Sequence, residues 1–384
     1  MSRFKIDFTL KQHTPLIHFQ SEQSGATLRA TELKPKFDRF LIEMFEKEQI
    51  DYKGFLISGQ ERALDYKVSI SPDLSNAETI ETIDRRGKEQ SNPLFFGNMG
   101  DGEYKKFKHN QNRIKLTLFS YKSELLKFLN DNFEAFLANT NFGTRQSKGF
   151  GSFYLNTPFN KRLVNHKVYS FTANPNSWEE DIKHFYSFLR AGINTANFRG
   201  IYAKAVIFAY AKSKGITWDK RAIKQAYMGK ELRTQQDTHS NQDAPLHYSS
   251  DAQHIVRDLF GLSSSQSWMS YRASVDKEHT ERDNNKKVDR FKSPITFKPV
   301  KEGNNMRIYF WADKSVEKIL NKEFIIKVNK RGDLKLTTPN EFSFDEFFEF
   351  AFNLDLSKYI DSEYHNNRDY TKLVSMFKEI KESR

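Results

Sequence analysis

The chain contains no cysteine. Disulfides, thiolate catalysis and cysteine-ligated zinc are thereby excluded, and a reducing compartment is allowed. No apolar run approaches the ~18 residues that a membrane span requires. Met1–Leu10 alternates charged and apolar residues and lacks the apolar stretch of a signal peptide. These absences predict a soluble, cytoplasmic protein with no membrane contact. The ten histidines form no His-Glu-x-x-His pattern or other close metal spacing. A serine nucleophile elbow, a Walker loop and a paired-carboxylate metal motif are also missing. No metal, no cofactor and no catalytic residue is therefore predicted.

Acidic residues are missing where they would matter most. No carboxylate stands between Glu134 and Glu179, while Arg145, Lys148, Lys161, Arg162 and Lys167 lie inside that interval. Thr195–Lys230 carries Arg199, Lys204, Lys212, Lys214, Lys220, Arg221, Lys224 and Lys230 against Asp219 alone. Asn284–Val300 sets Lys286, Lys287, Arg290, Lys292 and Lys298 against Asp289. The formal charge is +12 over 384 residues. Three separate basic stretches point to a long polyanion track rather than one phosphate pocket.

Periodicity supplies the architecture. Phe4, Ile6, Phe8 and Leu10 alternate with Lys5, Asp7 and Thr9, the pattern of a half-buried strand. From Leu28 to about Glu48, Leu33, Phe37, Phe40, Leu41, Met44 and Phe45 recur at helical spacing. Leu64–Ile70 and Ile114–Leu118 alternate again as strands. Leu125, Leu126, Leu129, Phe133, Phe136 and Leu137 mark a second helix, and Ser152–Asn156 a last short strand. The order β-α-β-β-α-β is that of a split β-α-β, ferredoxin-like unit.

Between the second helix and the last strand runs Phe142-Gly143-Thr144-Arg145-Gln146-Ser147-Lys148-Gly149-Phe150-Gly151-Ser152-Phe153. Glycines let backbone approach a ligand closely, and two cations within one small loop suit a phosphate. Phe142, Phe150 and Phe153 either stack on bases or anchor the loop to the core.

At this joint of this fold, the Gly-rich loop resembles that of the RAMP proteins of CRISPR effector complexes. The resemblance is nearest to the first RAMP subunit of type III-B (Cmr) complexes. The strand ending Thr14-Pro15-Leu16 and the helix bearing Arg29, Thr31, Leu33, Lys34 and Arg39 are similar to that family. Phe260-Gly261 and Ser293-Pro294 are similar to markers in the second half of such subunits. The resemblance implies an α+β chain of tandem ferredoxin-like (RRM-like) domains, 1–160 and 161–384, the second divergent and with a helical insertion. It implies a non-catalytic subunit that holds guide RNA, guide–target duplex or both near the 3′ end of the guide, among other effector subunits. The RNA-contacting residues it implies are Gly143, Arg145, Lys148, Gly149, Phe150, Gly151, Arg29, Lys34, Arg39 and His18.

The alternative is a metal-independent endoribonuclease that matures CRISPR transcripts, with His13 or His18 as general base. Asp84 and Asp101, in a loop spanning about 72–111, are the acidic residues to consider for target cutting. In the second half, helices are expected at 178–191 and 197–213 and polar loops at 229–250 and 276–289. Hairpins are expected at Ile295–Phe310 and Phe324–Thr337, within a second ferredoxin-like sheet. Phe342–Phe352, with six phenylalanines, reads either as a subunit interface or as a deeply buried helix.

Overall fold

In the computed structural model, residues 4–17, 27–72, 77–80, 107–110, 113–194, 202–227, 252–268, 272–280 and 288–383 are described. The elements begin with β1 (Lys5–Gln12), β2 (Leu16–Ile17), α1 (Ala30–Glu48), β3 (Lys67–Pro72), β4 (Ala77–Ile80) and β5 (Phe107–Asn110). Next come β6 (Ile114–Phe119), α2 (Ser123–Asn139), β7 (Phe153–Leu155), β8 (Tyr169–Ala173) and α3 (Trp178–Arg190). They are followed by β9 (Ile193–Asn194), β10 (Tyr202–Ala203), α4 (Val206–Ser213), β11 (Ile216–Trp218), α5 (Asp219–Tyr227) and β12 (Ala252–His254). Then come β13 (Leu262–Ser263), β14 (Ser265–Trp268), β15 (Ala273–His279), β16 (Arg290–Phe291), β17 (Ile295–Glu302) and β18 (Asn305–Ala312). The remaining elements are β19 (Glu323–Val328), β20 (Arg331–Thr337), α6 (Phe344–Asn353), α7 (Leu356–Tyr359) and α8 (Arg368–Glu382). Two units result, Met1–Lys183 with Thr296–Trp311, and His184–Ile295 with Ala312–Arg384.

The first unit builds the expected sheet. Its order is β3-β6-β1-β7 and every pairing is antiparallel, as a split β-α-β unit requires. Register sets Ile6 opposite Leu118, Phe8 opposite Leu116 and Leu10 opposite Ile114, so these rows of one face are apolar. Phe37, Leu41 and Phe45 of α1 and Leu129, Phe133 and Phe136 of α2 bury themselves in the same core. Phe8 meets Phe133 at 4.3 Å between ring centroids, and Phe37 stacks on Phe136 at 4.7 Å. Pro35 lies in the second turn of α1 on its exposed side and does not end the helix. In the stretch expected as a loop, β4 and β5 pair with each other, and β5 with β2. Asp84 and Asp101 lie outside the described residues.

A second sheet of this unit, β17-β18-β8, carries its most consequential side chain. Lys298, expected to belong to a solvent-facing basic stretch, is fully buried. Its Nζ donates to the carbonyls of Leu137 (2.8 Å), Thr140 (2.7 Å) and Phe153 (2.9 Å). Leu137 and Thr140 belong to the end of α2, where carbonyls run short of helical partners; Leu137 has only a long bond from the C-cap Thr140 N–H (3.4 Å). Burial pushes the Lys298 pKa well below the ordinary lysine value, and the Lys36 charge adds to that. The three carbonyls and the negative end of α2 oppose it by holding the ammonium form.

The second unit departs from a second four-stranded ferredoxin sheet. Its six-stranded sheet runs β11-β12-β20-β19-β15-β14, parallel at β11/β12 and β12/β20 and antiparallel elsewhere. Both expected hairpins form, yet β17/β18 pairs with β8 while β19/β20 joins the six-stranded sheet. Helix α3 matches its expected span, whereas α4 starts only at Val206, after the short pair β9/β10. Of the Phe-rich segment, Phe344, Phe347, Phe348 and Phe352 are buried against partners such as Phe260 and Phe377, the buried-helix alternative. Phe342 and Phe350 remain half-buried.

The first four residues of the supposed 276–289 loop, 276–279, are strand. In β15, Ala273, Val275, Lys277 and His279 are buried alternately. Lys277 is buried between Asp219 (2.7 Å) and Asp258, and Gln266 donates to the other oxygen of Asp258 (3.1 Å). Burial alone would raise the Asp258 pKa, but the Lys277 charge and hydrogen bond, aided by Arg257 and Arg190, hold it below the carboxylate range. Burial likewise pulls Lys277 down, and its two carboxylates more than offset this and raise it.

Two predictions follow from these buried lysines. Lys298→Met takes the ammonium donor from three carbonyls, leaving Leu137 only its longer bond from Thr140 N–H (3.4 Å), and urea unfolding should register a loss of about 3 kcal/mol; wild-type stability would mean that the clasp contributes nothing. Lys277→Met should cost about 3–5 kcal/mol at pH 7, because two buried carboxylates lose their counter-ion. A depressed Asp258 contributes stability above the ordinary Asp pKa of about 3.9 and loses it as pH falls through its lower folded value. A raised Lys277 contributes fully below about pH 10.4. Burial alone raises the Asp258 pKa, so without Lys277 this carboxylate takes up its proton at higher pH, and the gap between wild type and Lys277→Met should narrow as pH falls towards about 4 and narrow further below it; a gap independent of pH would refute the ionic origin.

Candidate nucleic-acid interface

Two motifs that stand far apart in the sequence form one object. The Thr14 hydroxyl donates to the Gly149 carbonyl (2.7 Å) and accepts from the Ser152 N–H (2.9 Å). The Pro15 carbonyl accepts from Gly151 N–H (2.8 Å), and that of Ile17 from Thr144 N–H (3.0 Å). Thr14-Pro15-Leu16 is thus the bed on which the Gly-rich loop lies. From the other side, Phe297 N–H donates to the Ser147 carbonyl (3.1 Å), and Ser152 Oγ donates to the Pro299 carbonyl (2.7 Å). Asn141 Nδ2 donates to both the Gln146 and Phe297 carbonyls, each at 2.7 Å.

The glycines answer to this internal packing. Gly151 has φ +64°, and a Cβ there would stand 1.9 Å from the Phe142 carbonyl oxygen. Gly143, at φ +78°, would place a Cβ 2.5 Å from the Ile17 oxygen. Gly149 sits against Pro299 and Trp178. Close approach is required here, and the approaching group is the protein's own backbone and side chains. The rings follow the same rule: Phe142, Phe150 and Phe153 are all fully buried. Phe150 packs edge-on to Trp178 at 5.2 Å, so its ring anchors the loop and is not offered to a base.

One clamp escaped the sequence reading. Glu32 of α1 accepts from Gly143 N–H (2.6 Å) and pairs with Lys36 one turn later (2.9 Å). Lys36 Nζ also donates to the Asn141 carbonyl (3.0 Å) and Gln146 Oε1 (2.9 Å). The signal was present as Glu and Lys at i and i+4 on the helix already singled out.

The cations divide. Arg145 stands in the left-handed region, φ +58°, and is half-buried; burial pushes its pKa down from the ordinary value. Lys148 is half-buried beside it, its N–H donating to the Arg145 carbonyl (2.8 Å). Arg39 is exposed, and Arg29 is the half-buried N-cap residue of α1. Lys34 is turned inward, bonded to Asp38 (2.7 Å) and the Leu64 carbonyl (2.8 Å) and lying over the Tyr66 ring. It is therefore committed to the core side of α1 and does not extend a positive face. Lys161, Arg162 and Lys167 are exposed. His18 lies outside the described residues.

His13 is buried, and its Nδ1 accepts from the Lys301 N–H (3.0 Å). Neutral imidazole with Nδ1 as acceptor carries its proton on Nε2, which leaves no lone pair for a general base. Among the described residues no group of three His, Asp or Glu side chains gathers into a metal site. No helix among them is long and apolar enough to cross a membrane.

Comparison with known proteins is consistent across both halves. The family model described as the Cmr1 N-terminal domain matches residues 3–193, and that of the Cmr1 C-terminal domain matches residues 202–382. No curated protein matches the chain. Among solved structures, the apo crystal structure of Cmr1 from Pyrococcus furiosus is similar at 13% identity and TM-score 0.36, covering 81% of this chain and 89% of that one. A chain of the cryo-EM structure of the type III-B Cmr-beta complex bound to cognate target RNA is similar at 13% identity and TM-score 0.28. That match covers 40% of this chain, which spans only 59% of the chain it matches. With the two domain models matched in order over nearly its whole length, the chain belongs to the Cmr1 family.

Proposed function

We propose that the chain is an RNA-holding subunit of a type III-B CRISPR effector ribonucleoprotein, gripping guide RNA, guide–target duplex or both near the 3′ end of the guide, without cutting RNA. Family membership supports the setting, with guide RNA, target RNA and other effector subunits as partners. The observation that carries the RNA contact is Arg145. Its loop holds three left-handed glycines, yet the fourth left-handed position is an arginine, φ +58°. A left-handed backbone costs an L-residue about 1–2 kcal/mol that glycine avoids, so the position holds its side chain against a backbone preference. Strain of this kind concentrates at functional sites.

Arg145 and Lys148 neutralise phosphates at the loop, and the exposed Arg39, Lys161, Arg162 and Lys167 extend the positive surface of the same unit. Such contacts position RNA and carry little sequence information. Binding is weakly sequence-specific and strongly salt-dependent. The buried His13, with Nδ1 already occupied, supports holding over cutting.

The test is Arg145→Gly, which relieves the backbone while deleting the cation. Its melting should stay within about 1 kcal/mol of wild type, since glycine's greater unfolded-state freedom offsets the relief. Guide-like RNA should bind more weakly, with the log–log salt slope reduced by about 0.7–0.9, and Arg145→Lys should restore the slope. Wild-type affinity and slope in Arg145→Gly would leave the loop as structure alone.

A further inference from the structure

The helix-free face of the β3-β6-β1-β7 sheet has no role in the loop-based reading. Register lines up Lys5, Phe119 and Lys67 in one row across β1, β6 and β3. The next rows are Asp7, Thr117 and Ser69, then Thr9, Lys115 and Ser71. Adjacent strands lie about 4.8 Å apart, so the two lysines of the first row stand about 10 Å apart astride one aromatic ring. Lys67 and Lys115 are exposed and Phe119 is half-buried. Asp7 is the one acid in these rows, and Lys5 (3.4 Å) and Lys115 (3.7 Å) share it. The face keeps a net positive charge.

Just past β6, Tyr121 is 78% exposed, the most open large apolar side chain among the described residues. It packs edge-on to Phe119 at 4.9 Å and to Phe4 at 5.6 Å. The turn beneath it is fixed. Ser120 is buried, its N–H donates to the Phe4 carbonyl (3.1 Å), its Oγ donates to the Asp65 carbonyl (2.7 Å), and Lys122 N–H donates back to that Oγ (3.1 Å). Lys122 Nζ pairs with Asp65 (3.0 Å). Tyr121 is thus displayed by a rigid support.

We propose that this open sheet face, centred on Phe119 and Tyr121, is a second nucleic-acid site that takes a single strand, one or two unpaired bases stacking on the rings while Lys5, Lys67 and Lys115 neutralise the phosphates. Charge complementarity selects a polyanion, and the exposed Tyr121 ring beside the half-buried Phe119 selects bases whose own faces are free, which a duplex does not offer. The site stands apart from the Gly-rich loop, which meets β1 at its far end; the length of β1 separates them by about 25 Å. It therefore does not rest on Arg145.

The experiment measures fluorescence anisotropy of labelled oligouridylate, oligothymidylate and duplex RNA with the full-length chain. Phe119→Ala/Tyr121→Ala should weaken single-strand binding about tenfold or more and leave duplex binding unchanged, while Phe119→Tyr/Tyr121→Phe should bind as wild type. The ribo- and deoxyribo-oligomers distinguish RNA from DNA as the strand. Should the double alanine variant melt early, Lys67→Gln/Lys115→Gln replaces it, with the salt slope expected to fall by about 0.7 per lost phosphate contact. Single-strand binding unaffected in the ring variant, or in the lysine variant where that replaces it, overturns the proposal and leaves the face to an acidic protein partner. Arg145→Gly, run alongside, separates the two sites. Loss there with intact ring-variant binding refutes this site alone, and loss in the ring variant with Arg145→Gly unaffected refutes the loop alone.

Discussion

The first unit depends on one buried ammonium group. Lys298 reaches from β17 to carbonyls on both sides of the Gly-rich loop, Leu137 and Thr140 before it and Phe153 after it. A helix end buried in a core leaves acceptors that backbone donors satisfy poorly or not at all. A single lysine with three protons meets three acceptors, which an arginine's planar fork would not do in the same space. By tying α2 to β7 it sets the span that the loop must close. Thr14, Glu32 and Lys36 then fix the path of that loop, and the left-handed Arg145 is a consequence of the fixed path.

Much of this unit was legible because period and position agree. Phe8 and Leu10 alternate on β1 and Phe133 and Phe136 recur on α2, and each meets the partners that its period assigns. What was not legible was the fate of lysines. Lys34 reads as an RNA contact, Lys277 as part of a polar loop and Lys298 as part of a basic stretch, and each is tied to carboxylates or carbonyls inside its unit. Sequence spacing gives no account of a partner 58 or 158 residues away. The same blindness turned β15 into a loop, since a lysine and a histidine occupy two of its buried positions. It also inflated the basic track, because part of the excess charge is internal.

The glycines teach a related lesson. A Gly-rich loop between basic residues suggests backbone bared to a ligand. Here Gly143 and Gly151 are required by the carbonyls of Ile17 and Phe142, and the three phenylalanines around them are core. The loop is a packed element, and whatever it binds is met by side chains projecting from a rigid base. Rigidity of this kind favours recognition of a backbone shape over adaptation to a sequence.

The first unit is not continuous in the chain: Thr296–Trp311 returns to complete it. Lys298 and Leu137 are 161 residues apart. On the ribosome, the sheet and both helices of the first unit emerge long before β17 exists, so the end of α2 and the flanks of the loop must wait with open carbonyls. Domains ordinarily fold in the order of their synthesis; here the earlier unit is finished by the later part of the chain. A fragment cut between the two family-model spans, at about residues 194–201, would lack that clasp. The first unit is thus completed only by residues made after much of the second has been synthesised.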